Sequence, residues 1–386
     1  MKKIAIGAAL ALAACMEPQV APDLPVPDMS RLDVTEIAGG LSTPWSVMPL
    51  PDGGAVVTEK AGRIVRISPD GSKVEVTGGP TPYYVDSGNS QAGLFDIVPA
   101  NDFGSTGNVF ISSSYGTAEA NGTALYAARL DGNRLEGLRE IFRSTPKDTN
   151  AHYGAKVVAL PDGTVAMSTG DAFVYREQAQ GLDNTLGKVV RVGADGSVPA
   201  DNPYGNAVWS YGHRNVQGLA LDRATGELWE HEHGPRGGDE LNLIERGNNY
   251  GWPLVTTGTD YNGLRISPFE TSEDYAGFVH DWTPSIAPSG LAIYRGGMFP
   301  EWQGDAILGA LAGQSLRRVD LEDGASVGES IIFRTRQVPG EGESADEMGW
   351  ARIRDVREAA DGSLYLVTNE GPRSRLLRIA RVGAAS

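Results

Sequence analysis

The sequence predicts an all-β protein built as a six-bladed β-propeller. Beyond about Asp33 it shows no long amphipathic helix pattern, and short runs rich in β-branched and aromatic residues recur between Asp-Gly or Gly turns. The clearest run in each of six successive segments begins at a turn glycine: Gly53, Gly107, Gly163, Gly226, Gly304 and Gly362. A β-helix would repeat at a much shorter period, and a double sandwich is the other alternative. Regular repetition of turn, strand and glycine favours the propeller.

Composition is consistent with a large folded unit and excludes several classes of function. The 386 residues are 40% hydrophobic and 21% charged and include one cysteine, which argues against disorder, a collagen-like fold or a disulfide scaffold. The formal net charge of -16 repels phosphate backbones, so we expect no nucleic-acid partner. An anionic ligand would need a local basic cluster working against this field.

The N-terminus has the pattern of a bacterial export signal. Residues 1–14 combine two lysines with an apolar run that is too short to span a bilayer, which predicts a signal peptide. The run ends at Cys15 in a sequence that resembles a lipobox, and residues 15–33 form a Pro-rich, extended tether. We therefore expect an exported, periplasmic protein whose only membrane attachment is a lipid on Cys15, with the propeller domain over residues 34–386. A plain secretory signal is the alternative.

A propeller brings the loops at one end of its strands together around the central axis. His152 precedes the third strand-rich segment, and Asp171 follows its clearest strand. A hairpin turning at Asp162-Gly163 would place the two side chains close together, as in a general base oriented by a carboxylate. Such a carboxylate favours the protonated imidazole, so we expect activity to fall on acidification from at or somewhat above about pH 6.5. A purely structural histidine is the alternative.

The stretch from Trp209 to Pro253 is the richest in polar groups that could bind an ion. His231 and His233 lie two residues apart and would share one strand face, which permits zinc ligation, although no third ligand is evident. Oxygen donors suited to calcium are more numerous, namely Glu232, Asp239, Glu240, Asn242 and the carbonyls of the Gly-Pro-Arg-Gly-Gly turn. Solvated loop charges would explain the same residues.

Two basic spots are candidates for binding an anion. Arg214 and Asn215 stand together and suit a carboxylate or quinone oxygen. Arg352 and Arg354 alternate in a strand, so they would share a face and repel each other unless an anion lies between them. Pairing with nearby acids, such as Asp346, Glu347 or Asp355, is the alternative.

Several blocks of the mature chain resemble the PQQ-dependent soluble glucose and aldose sugar dehydrogenases, which are six-bladed propellers. The blocks are WSYGHRNVQGL, WEHEHGPRGGDELNLI, NYGWP, PSIAPSGLAIY and ARIRDV. They occur in the family's order and at similar spacing, and WEHEHGPRGGDE is closer to the aldose branch. The resemblance implies oxidation of aldose sugars at the anomeric carbon to aldonolactones, with PQQ and calcium as cofactors. Electrons would pass to a quinone, dye or cytochrome, because no haem motif is present.

The resemblance also implies a role for individual residues. His152 would be the general base and Asp171 the acid that orients it. Residues implied in PQQ binding are Gln91, Arg214, Asn215, Tyr261, Ala312, Gly313, Gln314, Arg352 and Arg354. The carbonyls of Gly234 and Pro235 would hold the calcium that contacts PQQ, and Glu240 with the Tyr250 carbonyl a further calcium.

The chain departs from the family pattern at Lys156, Ala151 and Gln314, where relatives often carry arginine, an acid and a basic residue. Two other functions stay open: a calcium-dependent propeller lactonase, which would not need the arginines, and a non-catalytic binding propeller.

Overall fold

The computed structural model describes residues 29–87, 90–334 and 351–383. In these ranges the chain forms 24 strands arranged in six four-stranded antiparallel sheets. The predicted signal peptide, Cys15 and most of the tether lie outside the described residues. The described part contains one α-helix, the four-residue α1 (Phe103–Thr106), and no helix in it is long and apolar enough to cross a membrane.

Each sheet is one blade, and its four strands follow one another in space from the inside of the ring outward. Blade 1 is β2 (Pro44–Pro49), β3 (Ala55–Glu59), β4 (Ile64–Ile67) and β5 (Lys73–Val76). Blade 2 is β6 (Leu94–Pro99), β7 (Asn108–Gly116), β8 (Asn121–Asp131) and β9 (Arg134–Arg143). Blade 3 is β10 (Val157–Ala159), β11 (Thr164–Thr169), β12 (Lys188–Gly193) and β13 (Val208–Tyr211).

The second half of the ring follows the same plan. Blade 4 is β14 (Val216–Leu221), β15 (Leu228–Glu232), β16 (Asp239–Ile244) and β17 (His280–Trp282). Blade 5 is β18 (Pro288–Ile293), β19 (Ala306–Ala310), β20 (Ser315–Glu322) and β21 (Ala325–Arg334). Blade 6 is β22 (Arg352–Glu358), β23 (Leu364–Asn369), β24 (Ser374–Arg381) and β1 (Leu32–Leu41).

The inner strands contact one another in a closed ring. β2 contacts β6, β6 contacts β10, and the series continues through β14, β18 and β22 back to β2. Apolar side chains of adjacent blades fill the space between the sheets, so the core lies between blades rather than at the axis. This arrangement confirms the predicted six-bladed propeller.

The six predicted turn glycines occupy equivalent positions in the six blades. Each lies in the hairpin that joins the first strand to the second, with φ between 75° and 91°. A residue with a Cβ rarely adopts this left-handed conformation, which explains why the sequence pattern was regular enough to count the blades.

The ring is closed by an element that the repeat pattern does not identify. β1, the first described strand, pairs antiparallel with β24 at the C-terminal end and supplies the outer strand of blade 6. Hydrogen bonds between the two ends of the chain thus join the ring without a covalent link.

Candidate active site

The predicted site residues gather at one end of the propeller, where the first strands begin and the second strands end. Gln91, His152, Arg214 and Asn215 precede β6, β10 and β14; Asp171, Gly234 and Ala312 follow β11, β15 and β19; Arg352 opens β22. Antiparallel pairing of the first and second strands puts both sets of loops at this end.

His152 and Asp171 form a buried hydrogen-bonded pair. His152 Nδ1 lies 2.6 Å from Asp171 Oδ1, and the hairpin β10–β11 brings them together as the sequence predicted. Asp171 Oδ1 also accepts a hydrogen bond from the backbone N–H of Phe173 at 2.8 Å, and Oδ2 accepts one from the Trp252 indole at 2.7 Å. A carboxylate surrounded by donors holds the imidazole proton on Nδ1 and leaves Nε2 free to accept a proton.

The backbone around His152 is shaped for this pair. His152 has a φ of 52°, in the left-handed region that is uncommon for residues other than glycine. Its N–H donates to Gln91 Oε1 at 2.7 Å, which ties the predicted glutamine to the histidine. A Cβ on Gly170 would collide with the His152 carbonyl oxygen, so only glycine permits this close approach.

Burial lowers the pKa of His152 below its usual value of 6.5. Asp171 acts in the opposite direction, but the positive charges of Arg214 and Lys147 add to the lowering. Burial alone would raise the pKa of Asp171, yet the charges of His152 and Arg214 and its hydrogen bonds lower it overall. In the free protein the shift is thus opposite to the direction expected from Asp171 alone, because that expectation omitted burial and the nearby cations, while the pH dependence of activity stays a prediction.

Arg354 and Arg352 create a positive region at the same end of the propeller. Arg354 is buried; its Nη2 donates to Gln217 at 2.5 Å, and its guanidinium carbon lies 4.7 Å from the centre of the Trp45 ring. Its Nε has no hydrogen-bond partner among the residues described. Burial, together with the charge of Arg352, lowers its pKa to about 10.

The nearest acid to these arginines is already engaged elsewhere. Asp355 accepts hydrogen bonds from Lys156 at 2.7 Å and from Arg357 at 3.2 Å. Within the described residues neither Arg352 nor Arg354 forms an ion pair with a carboxylate, while Asp346 and Glu347 lie outside those residues. The strand is also less regular than predicted. A register shift between Ile353 and Asp355 leaves Arg354 without a paired residue on β23, and Arg352 is more exposed than Arg354.

Arg214 spans from the histidine pair to the Gly-Pro turn. Its Nη1 donates to the carbonyls of His233 at 2.7 Å and Gly234 at 2.6 Å, and its Nη2 to Tyr261 Oη at 3.2 Å. The Arg214 carbonyl accepts the N–H of Asp171 at 2.8 Å. Asn215 is buried next to it, and its Oδ1 accepts the Gly154 N–H at 3.3 Å. Both predicted residues therefore reach the region of His152.

The residues predicted to bind calcium lie in two places. The carbonyl of Gly234 faces the Arg214 guanidinium, so one of its lone pairs is already used. Gly234 and Pro235 are buried, and their turn is fixed by Asp239, which accepts the Gly234 N–H at 2.9 Å. Glu240 lies instead on blade 4, opposite Glu232 in the neighbouring strand, and the ring of Tyr250 stacks on His213. The second set, Glu240 and Tyr250, is thus separate from Arg352 and Arg354.

The segment from Ala312 to Gln314 forms a tight turn after β19. The N–H groups of Ala312 and Gly313 both donate to the Ile286 carbonyl at 3.0 Å, and Gln314 has a φ of 46°. Ala312 is exposed at this end of the propeller and Gly313 and Gln314 are half-buried.

The two histidines considered for zinc serve the framework. Nε2 of His231 lies 2.9 Å from the Gly290 carbonyl, and Nε2 of His233 lies 2.8 Å from the Pro288 carbonyl. They share a face, as predicted, but each is bound to the backbone of the inner strand of blade 5.

Sequence reasoning missed several residues that shape the site. Trp252 belongs to the NYGWP block but received no role, and Trp45 gave no signal beyond its place in a strand. Lys60 is partly buried, and burial, followed by the charge of Arg354, lowers its pKa, which adds a third cation to the positive region. Phe173 is 44% exposed, with its ring 5.1 Å from the His152 ring and 6.1 Å from that of Tyr261.

The comparisons with known proteins agree with this architecture. A solved structure titled glucose dehydrogenase is 38% identical, with a TM-score of 0.81 over 92% of this chain and 100% of that chain. The aldose sugar dehydrogenase YliI of Escherichia coli is 34% identical over 91% of this chain and 93% of its own length. The PQQ-bound aldose sugar dehydrogenase of Streptomyces coelicolor is 27% identical, with a TM-score of 0.70 over 91% of this chain and 99% of that chain.

The family model for glucose and sorbosone dehydrogenases matches residues 41–378, which is nearly the whole propeller. With the fold, the family match and a relative above 30% identity in agreement, the chain belongs to the glucose/sorbosone dehydrogenase family.

Proposed function

We propose that this protein oxidises aldose sugars at the anomeric carbon to aldonolactones, using PQQ and calcium, and passes the electrons to an external quinone, dye or cytochrome. The observation that carries the proposal is that the His152–Asp171 pair and the buried Arg354, which has no carboxylate partner among the described residues, lie at the same end of the propeller. A base and an anion-binding region meet at the same end of the propeller. A lactonase would not need the anion-binding region.

The residues present fit an anionic quinone such as PQQ, which is a tricarboxylate. Arg354 is buried with an unpartnered Nε, and a buried cation in this state is costly unless an anion approaches it. Arg352 and Lys60 add positive charge on the same side, and Arg214 and Asn215 approach from blade 4. Gln91, Tyr261 and the turn from Ala312 to Gln314 line the same end and would complete the binding site.

The chain's own part in the reaction is proton removal. When bound, PQQ supplies a quinone that accepts two electrons from the sugar, and calcium supplies a Lewis acid that polarises it. Asp171 fixes the proton of His152 on Nδ1, so Nε2 takes the proton of the anomeric hydroxyl as the anomeric C–H bond breaks and the carbonyl of the lactone forms. Because its pKa lies below 6.5, His152 is neutral and able to act at neutral pH.

Calcium at the cofactor would be held by the carbonyls of Gly234 and Pro235, as the resemblance to the family implies, and both residues are buried in the turn after β15. Carbonyl oxygens are suitable ligands for calcium, and the second lone pair of the Gly234 carbonyl is available for it. Glu240 and the Tyr250 carbonyl are the proposed ligands of a further calcium. Chelation should therefore reduce PQQ retention, and added calcium should restore it.

The exposed aromatic side chains beside His152 support a sugar as the substrate. Phe173 and Tyr261 are 44% and 59% exposed; the Phe173 ring lies 5.1 Å from the His152 ring, and the Tyr261 ring lies 6.1 Å from that of Phe173. Apolar C–H faces of pyranoses pack on aromatic rings, and such contacts position the hydroxyl that reacts. The open position of these rings suits sugars of more than one size.

A direct test is the absorbance of the purified protein after addition of PQQ and calcium, followed by an aldose. We expect the spectrum of bound PQQ to change to that of its reduced form with an aldose and to remain unchanged with the matching sugar alcohol, which has no anomeric carbon. Failure of any aldose to reduce the bound cofactor would overturn the proposed activity.

We also propose export to the periplasm with a lipid anchor at Cys15. The lipobox-like sequence and the Pro-rich segment after it support this location. An anchored dehydrogenase could deliver electrons to an acceptor in or near the same membrane.

A further inference from the structure

Blade 4 carries a buried cluster of acidic and imidazole groups that the proposed reaction does not use. Glu230 and Glu232 alternate on β15, and Asn242 and Glu240 stand directly opposite them on β16. Side chains two apart in a strand, and their partners across the sheet, lie on one face. We call His213, Glu230, Glu232, Glu240 and Asn242 the blade-4 cluster.

The cluster contains three carboxyl groups but no lysine or arginine paired with them in the described part of the chain. The nearest cations are engaged elsewhere: Lys188 donates to the carbonyls of Gln178, Ala179 and Leu186, and the Arg214 guanidinium to those of His233 and Gly234. Glu230 and Glu232 are both buried. Buried acids in such a group require either protons or a bound cation.

Several polar atoms of the cluster are buried without a partner. His213 Nδ1, Glu230 Oε2 and Asn242 Oδ1 form no hydrogen bond with any residue that the structure describes. One ligand atom each from His213, Glu230 and Glu232 lies within 4.8 Å of the others. Unsatisfied buried acceptors are rare in folded proteins, and several in one cluster indicate a place suited to a positive group.

His213 is held in the orientation of a metal ligand. Its Nε2 lies 2.8 Å from Ser210 Oγ, and its ring stacks on Tyr250 with the centroids 4.7 Å apart. Nδ1 is thereby directed toward Glu230, whose Oε1 is 3.6 Å away. Hydrogen bonding of one imidazole nitrogen to an outer partner while the other faces the ion is the usual arrangement of metal-bound histidine.

We propose that His213, Glu230 and Glu232 form a buried structural site for a divalent first-row transition metal, zinc or manganese. The mixed donors decide the class of ion, because calcium prefers six to eight oxygen ligands, whereas imidazole with carboxylates suits zinc or manganese. The site differs in its ligands and its ion from the calcium proposed for Glu240 and the Tyr250 carbonyl. Asn242 borders it and orients Glu230 by donating to its Oε1 at 2.7 Å, and Glu240 lies opposite Glu232 in the sheet.

The test uses the full-length protein without PQQ or sugar, so its outcome is independent of the proposed dehydrogenase activity. Metal content is measured by mass spectrometry after treatment with a chelator and then separate exposure to Zn²⁺, Mn²⁺ or Ca²⁺ and dialysis. We expect about one equivalent of zinc or manganese to be retained, with a rise in melting temperature, in addition to any calcium held at the two sites proposed for that ion.

The informative variant is Glu230→Gln, which keeps the shape of the side chain and removes a buried charge. Its metal-free form should fold with a melting temperature equal to or above that of the metal-free wild type, but it should retain no metal at this site. Glu273→Gln, at an exposed acid outside the cluster, is the matched control and should behave as wild type.

Two results would overturn the proposal. One is a wild type that retains no zinc or manganese and shows no shift in melting temperature with either ion. The other is a Glu230→Gln variant that retains the same metal as the wild type. Retention of calcium alone would likewise exclude a site built around an imidazole.

Discussion

Asparagine at position 171 tests whether a carboxylate orients the proposed base. The substitution keeps the shape of the side chain and changes only what its outer atoms offer. In the wild type these oxygens accept hydrogen bonds from His152 Nδ1, the Phe173 N–H and the Trp252 indole, so all three partners are donors. An asparagine has one acceptor and one donor group, and its NH₂ must therefore face a group that also donates.

Either orientation of the asparagine has a cost that can be estimated. If the NH₂ faces His152, the imidazole proton moves to Nε2, and the atom that must accept the sugar's proton is blocked. The loss of general-base catalysis is then about 10² to 10⁴ in rate, which corresponds to about 2.7 to 5.5 kcal/mol. If the NH₂ faces Trp252 instead, a buried indole N–H is left unpaired at a cost of about 1 to 3 kcal/mol in stability.

The assay is stopped-flow reduction of PQQ-loaded protein by an aldose across a range of pH. In the wild type we expect the rate to decline on acidification as His152 becomes protonated, and burial, which lowers the pKa of His152 in the free protein, shifts that decline to lower pH. Trp252→Phe is the matched control, since it removes one donor to Asp171 and leaves the His152 contact, and it should lose much less rate. An Asp171→Asn protein that reduces bound PQQ at the wild-type rate and is also as stable as the wild type would refute the reasoning, because each orientation predicts one of these two losses.

Three further predictions concern the anion site, the shape of the backbone and the anchor. Arg354→Ala should weaken PQQ binding by about 1.5 to 3 kcal/mol in a direct titration, whereas Arg134→Ala, at an exposed guanidinium, should not change it; equal affinities would exclude a role for Arg354. Gly170→Ala should lower the rate of PQQ reduction by displacing His152, because the new Cβ would collide with its carbonyl oxygen, and a crystal structure with an unmoved histidine would contradict this. Cys15→Ser should move the protein from the membrane to the soluble fraction. A wild type that mass spectrometry finds unlipidated would contradict the proposed anchor.

The blade repeat was readable from the sequence because one conformational requirement recurs. Gly53 and its five counterparts all turn between the first two strands of a blade with positive φ, so the residue type reports the turn directly. No residue type in the sequence indicates that β1 closes blade 6. Pairing between the two ends of a chain depends on which edges remain open once the ring has formed, and β1 resembles any other half-buried strand in its pattern.

Proximity within the site was predictable where a short hairpin enforces it. His152 and Asp171 flank the β10–β11 hairpin, and antiparallel pairing alone brings them together. Lys60 and Arg354 are nearly three hundred residues apart in the sequence, and they face each other only because the ring places blades 1 and 6 side by side. Contacts between residues so far apart in the sequence can be identified only when the closed ring is known.

The protonation state of His152 shows why geometry without burial is insufficient. The predicted hairpin correctly places the Asp171 carboxylate beside His152, and in water that carboxylate would raise the pKa of the imidazole. In the folded protein the surrounding blades remove the solvent that stabilises the charged form, and Arg214 and Lys147 bring further positive charge toward it. The same positive charge that fits an anionic cofactor thus keeps the base unprotonated. The anion site and the base are therefore electrostatically linked, and binding of an anion beside Arg214 should raise the pKa of His152 relative to the free protein, a shift that histidine NMR titration with and without PQQ would measure.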